Sequence, residues 1–340
     1  MDIVVAGFDV HRNQITFDWL DRESGEVGRG RIDSTPEAVR EWVGRFCGRC
    51  VHVAVEACTG WYFVCTALRD AGATPHLAEI AETRARRGPK RRAKTDYADA
   101  RWLRMLLDEG RLPEAWIAPD HILELRTRTR LRKTLVDERT AWLQRIQATL
   151  FHLGIAKGPD RLMSTDGHDF LDRLEMPAAS RERIEVCRAM IRCLDEQIAL
   201  IERELCSYAR RQTGCRALMS HFGVGTLTAP TILAEMGDAS RLSRSRQAVR
   251  LAGLDIGVSR SDMRSRAGRL TKQGSPQLRW ALYESALSAT RSTSPDHLDY
   301  VALRERMSHT RATVTIARKL ARRCFHTLRE LGPEAIAPIA

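Results

Sequence analysis

The chain lacks the features of a membrane or secreted protein. None of its apolar runs reaches the ~18 residues needed to span a bilayer, although apolar residues make up 43% of its 340. It opens directly on Ile3-Val4-Val5-Ala6-Gly7-Phe8, with neither a basic leader nor a small-residue cleavage site, so no signal peptide is expected and the cytoplasm is the expected compartment. Its nine cysteines follow no repeating spacing, which suits reduced thiols and excludes a disulfide scaffold. Cys47 and Cys50 form a lone CxxC, but a structural zinc needs two more ligands at a matching spacing. The nearest histidine, His52, falls inside a predicted strand, so no zinc site is expected. Acid is also in short supply: 43 Asp and Glu face 55 Lys and Arg, a formal net charge of +12. With 29% charged residues the composition excludes a disordered chain and a collagen.

What is present is unevenly placed. Residues 1–118 hold 18 basic and 18 acidic residues, residues 119–215 hold 17 and 15, and residues 216–340 hold 20 and 10. Almost all the excess positive charge therefore lies in the last third. A second basic cluster, Arg84, Arg86, Arg87, Lys90, Arg91, Arg92 and Lys94, contains no acid. One such run reads as a solvated loop; two separate basic regions with few compensating acids point to a polyanionic partner.

The hydrophobic pattern divides the chain the same way. At ~100–200 residues per domain the length suits two or three domains. In residues 1–118, β-rich runs at Ile3–Val10, Gln14–Leu20 and Val27–Ile32 precede a helix opened by Ser34-Thr35-Pro36-Glu37 and running to about Cys47. A continuous apolar strand (Val51–Val55), a helix (Trp61–Ala71) and a further strand (Thr74–Ala78) follow. Three antiparallel strands and then βαβ units describe a mixed sheet covered by helices, the ribonuclease-H-like order. Residues 119–215 contain two long amphipathic stretches, 121–152 and 180–213, expected to form an antiparallel helical hairpin with only turns between them at 154–177. Such a hairpin can bury its apolar stripe on itself or against another copy. Residues 216–340 read as helical except for 255–275, with helices at Thr226–Met236, Pro276–Thr290 and Leu298–Leu331. The expected fold is thus α/β plus all-α.

Four carboxylates stand at structurally telling places. Asp9 ends the first strand, Glu56 ends the buried fourth, and Asp96 and Asp99 open a helix three residues apart on one face. Singly, each reads as a turn residue, a salt-bridged strand end or a helix cap. Together, four converging acids repel one another unless cations neutralise them, and hard divalent ions prefer such oxygen donors. Two Mg²⁺ ions ~4 Å apart can polarise a phosphodiester and stabilise its entering and leaving oxygens.

The basic last third offers a complementary chemistry. Arg241 to Arg279 holds ten basic residues, among them Arg260, Arg264, Arg266, Arg269, Lys272 and Arg279, against Asp255 and Asp262. Hydroxyls are interleaved, including Ser259, Ser261 and Ser265. Arg and Ser together grip phosphate backbones without reading bases. A serine among guanidinium groups can also act as a nucleophile, and spacing alone does not select which. The Gly223-Val224-Gly225 turn resembles a helix-hairpin-helix element, whose amides can hold a phosphate oxygen; a plain helix-helix turn fits it equally.

Three blocks, Gly7-Phe8-Asp9-Val10, Val55-Glu56-Ala57-Cys58-Thr59-Gly60-Trp61-Tyr62 and Lys94-Thr95-Asp96-Tyr97-Ala98-Asp99-Ala100, resemble in order and separation the DEDD motifs of the insertion-sequence one-hundred-and-ten family of transposases. Gly223-Val224-Gly225, Leu251-Ala252-Gly253-Leu254-Asp255 and Leu270-Thr271-Lys272-Gln273-Gly274-Ser275-Pro276-Gln277-Leu278-Arg279 resemble the second domain of the same proteins, so the likeness covers the whole chain. The resemblance implies a RuvC-like domain binding Mg²⁺ through Asp9, Glu56, Asp96 and Asp99. It also implies a nucleophilic serine seven residues beyond the Leu of the Ala-Gly-Leu block, which is Ser261. Asp262 follows it where the family commonly has Gly, and Ser259 and Ser265 lie close. Double-stranded DNA at element ends and target, a structured bridge RNA, and a homo-dimer or tetramer joining one subunit's acids to another's serine are the implied partners. The expected activity is DNA strand breakage and rejoining. Against it stand a metal-dependent junction endonuclease that uses water as nucleophile, and a non-catalytic architectural protein.

Overall fold

The computed structural model describes residues 3–87, 95–155, 158–257, 259–261, 264–266, 268 and 270–339. The chain divides into two compact units, residues 1–117 and 118–340.

The first unit is built on a five-stranded mixed sheet. Strands β1 (Ile3–Val10), β2 (Gln14–Asp21), β3 (Val27–Asp33), β4 (Cys50–Glu56) and β5 (Thr74–Ala78) lie in the order β3-β2-β1-β4-β5. The β1–β2 and β2–β3 pairs are antiparallel, whereas β1–β4 and β4–β5 are parallel. This order is consistent with the ribonuclease-H-like arrangement the pattern predicts. Strand alternation sends Val4, Ala6, Phe8 and Val10 to one face, where they share a core with Trp42 of α1 (Pro36–Gly44) and with Val64 and Leu68 of α2 (Trp61–Asp70). Trp42 is fully buried and its ring meets Phe8 edge-on at 4.8 Å. Thr35 caps α1 through its side chain, with Pro36 at the first position, so the helix starts where the sequence signal put it.

The opposite face carries Gly7 and Asp9 and is covered by α4 (Asp96–Asp108), which follows the short α3 (Ile80–Arg86). Helix α4 lies so close that a Cβ at residue 7 would sit 2.2 Å from the Ala100 carbonyl oxygen and 2.5 Å from the Arg104 amide nitrogen. Glycine is the one residue that permits this approach. Two ion pairs hold the helix in place: buried Arg104 with buried Asp18 of β2, and Arg22 with Asp108 at 2.7 Å. Thr95 caps its first turn by accepting from the Ala98 amide.

Among its described residues the second unit's regular structure is helical apart from two short paired strands. Helices α5 (Asp120–His152) and α7 (Ala178–Arg211) run antiparallel, as the pairs Arg132–Glu202 and Arg139–Asp195 record. The apolar stripe of α5 is divided between two cores: Leu125 joins the C-terminal cluster, and Ile146 and Leu150 join a cluster at the far end. Between the long helices the chain forms a helix rather than turns alone. Ser164 caps α6 (Thr165–Arg173), and Leu171 is buried against Ile146, Ile184 and Ile191. Its polar, Ser/Thr/Asp-rich start with an internal glycine reads as a loop, and burial of Leu171 decides otherwise.

Beyond the hairpin come α8 (Thr213–Leu218), the wholly buried α9 (Thr228–Met236), α10 (Ser245–Leu251), the antiparallel strands β6 (Ser259–Ser261) and β7 (Arg264–Arg266), α11 (Pro276–Ala286), α12 (His297–Arg304) and α13 (His309–Leu331). The helices expected at 276–290 and 298–331 are thus interrupted. The first ends in a 3₁₀ turn at 287–290, and the second breaks at 305–308, where Ser308 turns extended and starts a new helix. Neither Gly nor Pro marks that break, which is why periodicity alone runs through it. No described helix is long and apolar enough to cross a membrane.

The Asp18–Arg104 pair is the polar anchor between α4 and the sheet. Asp18→Ala strands a buried guanidinium and is expected to cost about 3–5 kcal/mol in urea unfolding of the full chain, whereas the double replacement Asp18→Leu/Arg104→Met costs less than Asp18→Ala alone.

Candidate metal centre and nucleic-acid interface

Asp9 stands at the end of β1, where the strand passes beneath the first turn of α4. Only 6% of Asp9 is exposed. Asp96, the first residue of α4, and His11, just past β1, close on it: His11 Nε2 lies 3.2 Å from Asp9 Oδ2 and 3.7 Å from Asp96 Oδ1. One ligand atom from each of the three falls within 4.8 Å of the others. His11 is a residue that sequence reasoning missed. The available signal is its position two beyond Asp9, which strand alternation turns to the same side.

The remaining two acids are nearby and differently engaged. Asp99, one turn into α4, is ion-paired with Arg87. Its charge still bears on Asp9, whose carboxyl is pushed up chiefly by burial, drawn down by His11 and raised again by Asp99 and Asp96. Glu56 is one residue beyond Val55, the partner of Phe8 across the parallel β1–β4 pair, so it occupies the same row of the sheet as Asp9. Its carboxylate lies 3.9 Å from the Arg84 guanidinium. The structure therefore gathers Asp9, Asp96 and His11 tightly and leaves Asp99 and Glu56 on the rim with arginines.

A buried carboxylate among like charges is the arrangement that a cation relieves. Two carboxylate oxygens and an imidazole nitrogen form a donor set for a divalent ion. Thr16 of β2, opposite Asp9 in the β1–β2 register, is fully buried, and its Oγ1 has no hydrogen-bond partner among the described residues. The residues present fit a divalent metal.

The basic cluster meets the acids directly. Arg84 and Arg87 reach Glu56 and Asp99, and Arg86 donates to the Arg111 carbonyl oxygen at 2.6 Å. Lys90, Arg91, Arg92 and Lys94 lie outside the described residues. From β3, Arg31 comes within 4.0 Å of Asp96, and Arg29 and Arg31 stack over Tyr97 at 5.6 and 5.2 Å. The acids are thus ringed by guanidinium groups as well as facing one another.

In the second unit, Ser261 ends β6 with its Cα opposite that of Arg264, next to the pairs Arg260–Ser265 and Ser259–Arg266. Arg269 lies outside the described residues. An isolated antiparallel bridge joins Ile256 to Leu270, and Thr271 gives its hydroxyl to Asp255 Oδ1 at 2.5 Å while accepting from the Gln273 amide at 3.4 Å. At the base of this hairpin two backbone segments cross. A Cβ at Gly274 would sit 2.4 Å from the Leu251 carbonyl oxygen, and one at Gly253 would sit 2.8 Å from the Lys272 carbonyl carbon. The Ala-Gly-Leu and Lys-x-Gly blocks therefore need their glycines for one shared crossing. Exposed Lys272 there takes a positive φ of 54°. Arg279 fastens the crossing by donating to the Ala252 carbonyl oxygen at 3.0 Å.

Sequence reasoning also missed Glu235, a single acid in the otherwise uncharged α9. It is buried, accepts two hydrogen bonds from Arg130 of α5 at 2.8 and 3.0 Å, and accepts one from the Ser275 hydroxyl that caps α11. The Gly223-Val224-Gly225 turn is built for packing: residue 223 has φ 88° with its α-carbon against Ser285 and Ser288, and the Gly225 amide donates to Thr228 Oγ1 at 2.8 Å.

Residues 6–153 match the family model described as "Transposase" of the DEDD type, and residues 215–302 match the one described as "Transposase IS116/IS110/IS902 family". A "Probable family 20 transposase" of Pseudomonas aeruginosa is 24% identical over 298 residues, 86% of this chain and 85% of its own length. A "Transposase for insertion sequence element IS1111A" of Coxiella burnetii is 30% identical over 206 residues, 56% of this chain and 55% of its own length.

Burial and like charge make ionised Asp9 a cost to the metal-free fold. Asp9→Asn is expected to raise the melting temperature in excess EDTA, on the order of 3 °C for ~1 kcal/mol, and to abolish any further rise on adding divalent ions, as read by calorimetry.

Proposed function

We propose that the chain is a transposase of the IS116/IS110/IS902 family, whose models match residues 6–153 and 215–302, and that it cuts and rejoins DNA with a metal held by its N-terminal acids and a serine of its C-terminal unit as nucleophile. The observation that carries the reading is the convergence of Asp9, Asp96 and His11 beneath the start of α4.

In this reading Asp9 and Asp96 grip the ion, with Asp99 and Glu56 completing the oxygen donors once substrate draws Arg87 and Arg84 away. Divalent metal, Mg²⁺ in two copies, supplies polarisation of the scissile phosphodiester and charge neutralisation at its oxygens. Arg84, Arg87 and Arg31 exchange carboxylate partners for DNA phosphates, an exchange that leaves no guanidinium unpaired. Ser261 Oγ attacks phosphorus and forms a serine–phosphate ester as the deoxyribose oxygen leaves. Reversal of that step by another strand's hydroxyl rejoins the DNA without an outside energy source. Arg260, Arg264, Arg266, Arg269, Lys272 and Arg279 are the residues of the same basic segment that would supply positive charge to the reacting phosphate.

The same reading assigns residues 1–118 to metal binding, 119–215 to multimerisation and 216–340 to the nucleophile, so that one subunit's acids serve another's serine. A structured bridge RNA supplies target choice by base pairing, which suits a protein whose basic segments are of the kind that holds backbone rather than reads bases. A water-using nuclease leaves the Ser/Arg segment as a grip alone and makes no protein–DNA adduct.

Incubation of the full chain with element-end DNA, guide transcript and Mg²⁺, followed by denaturing electrophoresis, tests the assignment. Wild type is expected to give covalent protein–DNA adducts. Ser261→Ala is expected to give none while duplex binding stays within ~3-fold, because a single neutral hydroxyl contributes little to a contact dominated by charge. Adducts that persist in Ser261→Ala move the nucleophile to Ser259 or Ser265, and free nicked ends from wild type favour the nuclease.

A further inference from the structure

The DEDD reading uses four carboxylates, yet among the described residues the group that could share an ion with Asp9 and Asp96 is an imidazole. We propose that His11 is itself a ligand of the metal, and that the resulting nitrogen–oxygen donor set makes this site prefer Mn²⁺ to Mg²⁺. The proposal rests on the reading that Asp9 and Asp96 hold a divalent ion, and goes beyond it in naming the third donor and the ion it selects.

Three observations carry it. First, His11 Nε2 sits 3.2 Å from Asp9 Oδ2 and 3.7 Å from Asp96 Oδ1. Neighbouring donors around an octahedral ion with ~2.1 Å bonds lie ~3 Å apart, so little adjustment converts the trio into three corners of one coordination shell. Second, the nitrogen is placed by the fold. β1 ends at Val10, and a residue two beyond Asp9 comes to its side of the sheet, while Asp96 is fixed by the cap of α4 and the close seat of that helix over Gly7. Third, the His11 side chain is half exposed, at 53%, and Asp9 is buried. The ion would be held from below by protein and left open above for waters and a phosphate oxygen.

The selectivity follows from ligand chemistry. Mg²⁺ takes oxygen donors, keeps most of its waters and gains little from imidazole. Mn²⁺ accepts the same oxygens and binds imidazole better, so one histidine widens the gap between them. Asp99, ion-paired with Arg87, and Glu56, beside Arg84, remain the all-oxygen part of the site. The histidine thus marks one of two metal positions as the Mn²⁺-selective one.

The test uses the full chain, MnCl₂ or MgCl₂ alone as probe, and no DNA. Pulsed electron paramagnetic resonance of bound Mn²⁺ reads nitrogen directly through its modulation, and calorimetric titration reads affinity. The expected result is nitrogen modulation in wild type, its loss in His11→Ala, a fall of ~10-fold or more in Mn²⁺ affinity, and a change below ~3-fold for Mg²⁺. Asp96→Asn is expected to weaken both ions. Mn²⁺ bound without nitrogen modulation and equally well by His11→Ala overturns the histidine ligand and leaves the acid site standing. Failure of wild type to bind either ion overturns the acid site, and the present proposal with it. The wild-type spectrum needs no variant, so a folding defect in His11→Ala does not remove the test.

Discussion

The missing Cβ at residue 7 is the constraint on which the N-terminal site depends. Helix α4 crosses β1 at a distance that only a glycine allows, and the helix start carries Asp96 and Asp99. A side chain at residue 7 would lift α4 off the sheet, and the separation between Asp96 and Asp9 would grow with it. The buried Asp18–Arg104 pair fixes the helix along its own axis, so rotation as well as height is set. Local sequence, packing and chemistry meet at that one contact: a strand buried on both faces, a glycine in its middle, and an acid two residues on.

The same contact creates an electrostatic problem whose solution is the site's chemistry. Asp9 is buried, and Asp96 and Asp99 each oppose its ionisation. In the structure the guanidinium groups of Arg31, Arg84 and Arg87 spread counter-charge around the acids, and His11 Nε2 lies within hydrogen-bonding distance of Asp9. Those arginines sit where a nucleic-acid backbone and a metal would share the same work. The basic cluster and the acids are therefore one electrostatic unit, in which the arginines pair with the carboxylates.

Much of this was legible in the sequence. The order of the five strands follows from β-rich runs separated by turn and helix signals, and Asp9, Glu56, Asp96 and Asp99 drew notice because each stands at a strand end or helix start. His11 was not found, because a polar residue just beyond a strand looks like loop. Glu235 was overlooked for the opposite reason: its partners, Arg130 and Ser275, are 105 and 40 residues away, and no local pattern announces them. Helix α6 and the break between α12 and α13 depend on tertiary burial rather than on capping signals. The role of Ser261, the bridge RNA and the division of labour between subunits come from family resemblance alone, since no spacing or periodicity encodes them.

The direct test of the account is the thermal shift that Mn²⁺ produces in a Gly7→Val variant that retains the wild-type far-ultraviolet circular dichroism. Displacement of α4 predicts that the metal-induced rise in melting temperature expected of the wild type is absent from the variant. An undiminished rise in Gly7→Val would contradict the claim that the close seat of α4 builds the metal site.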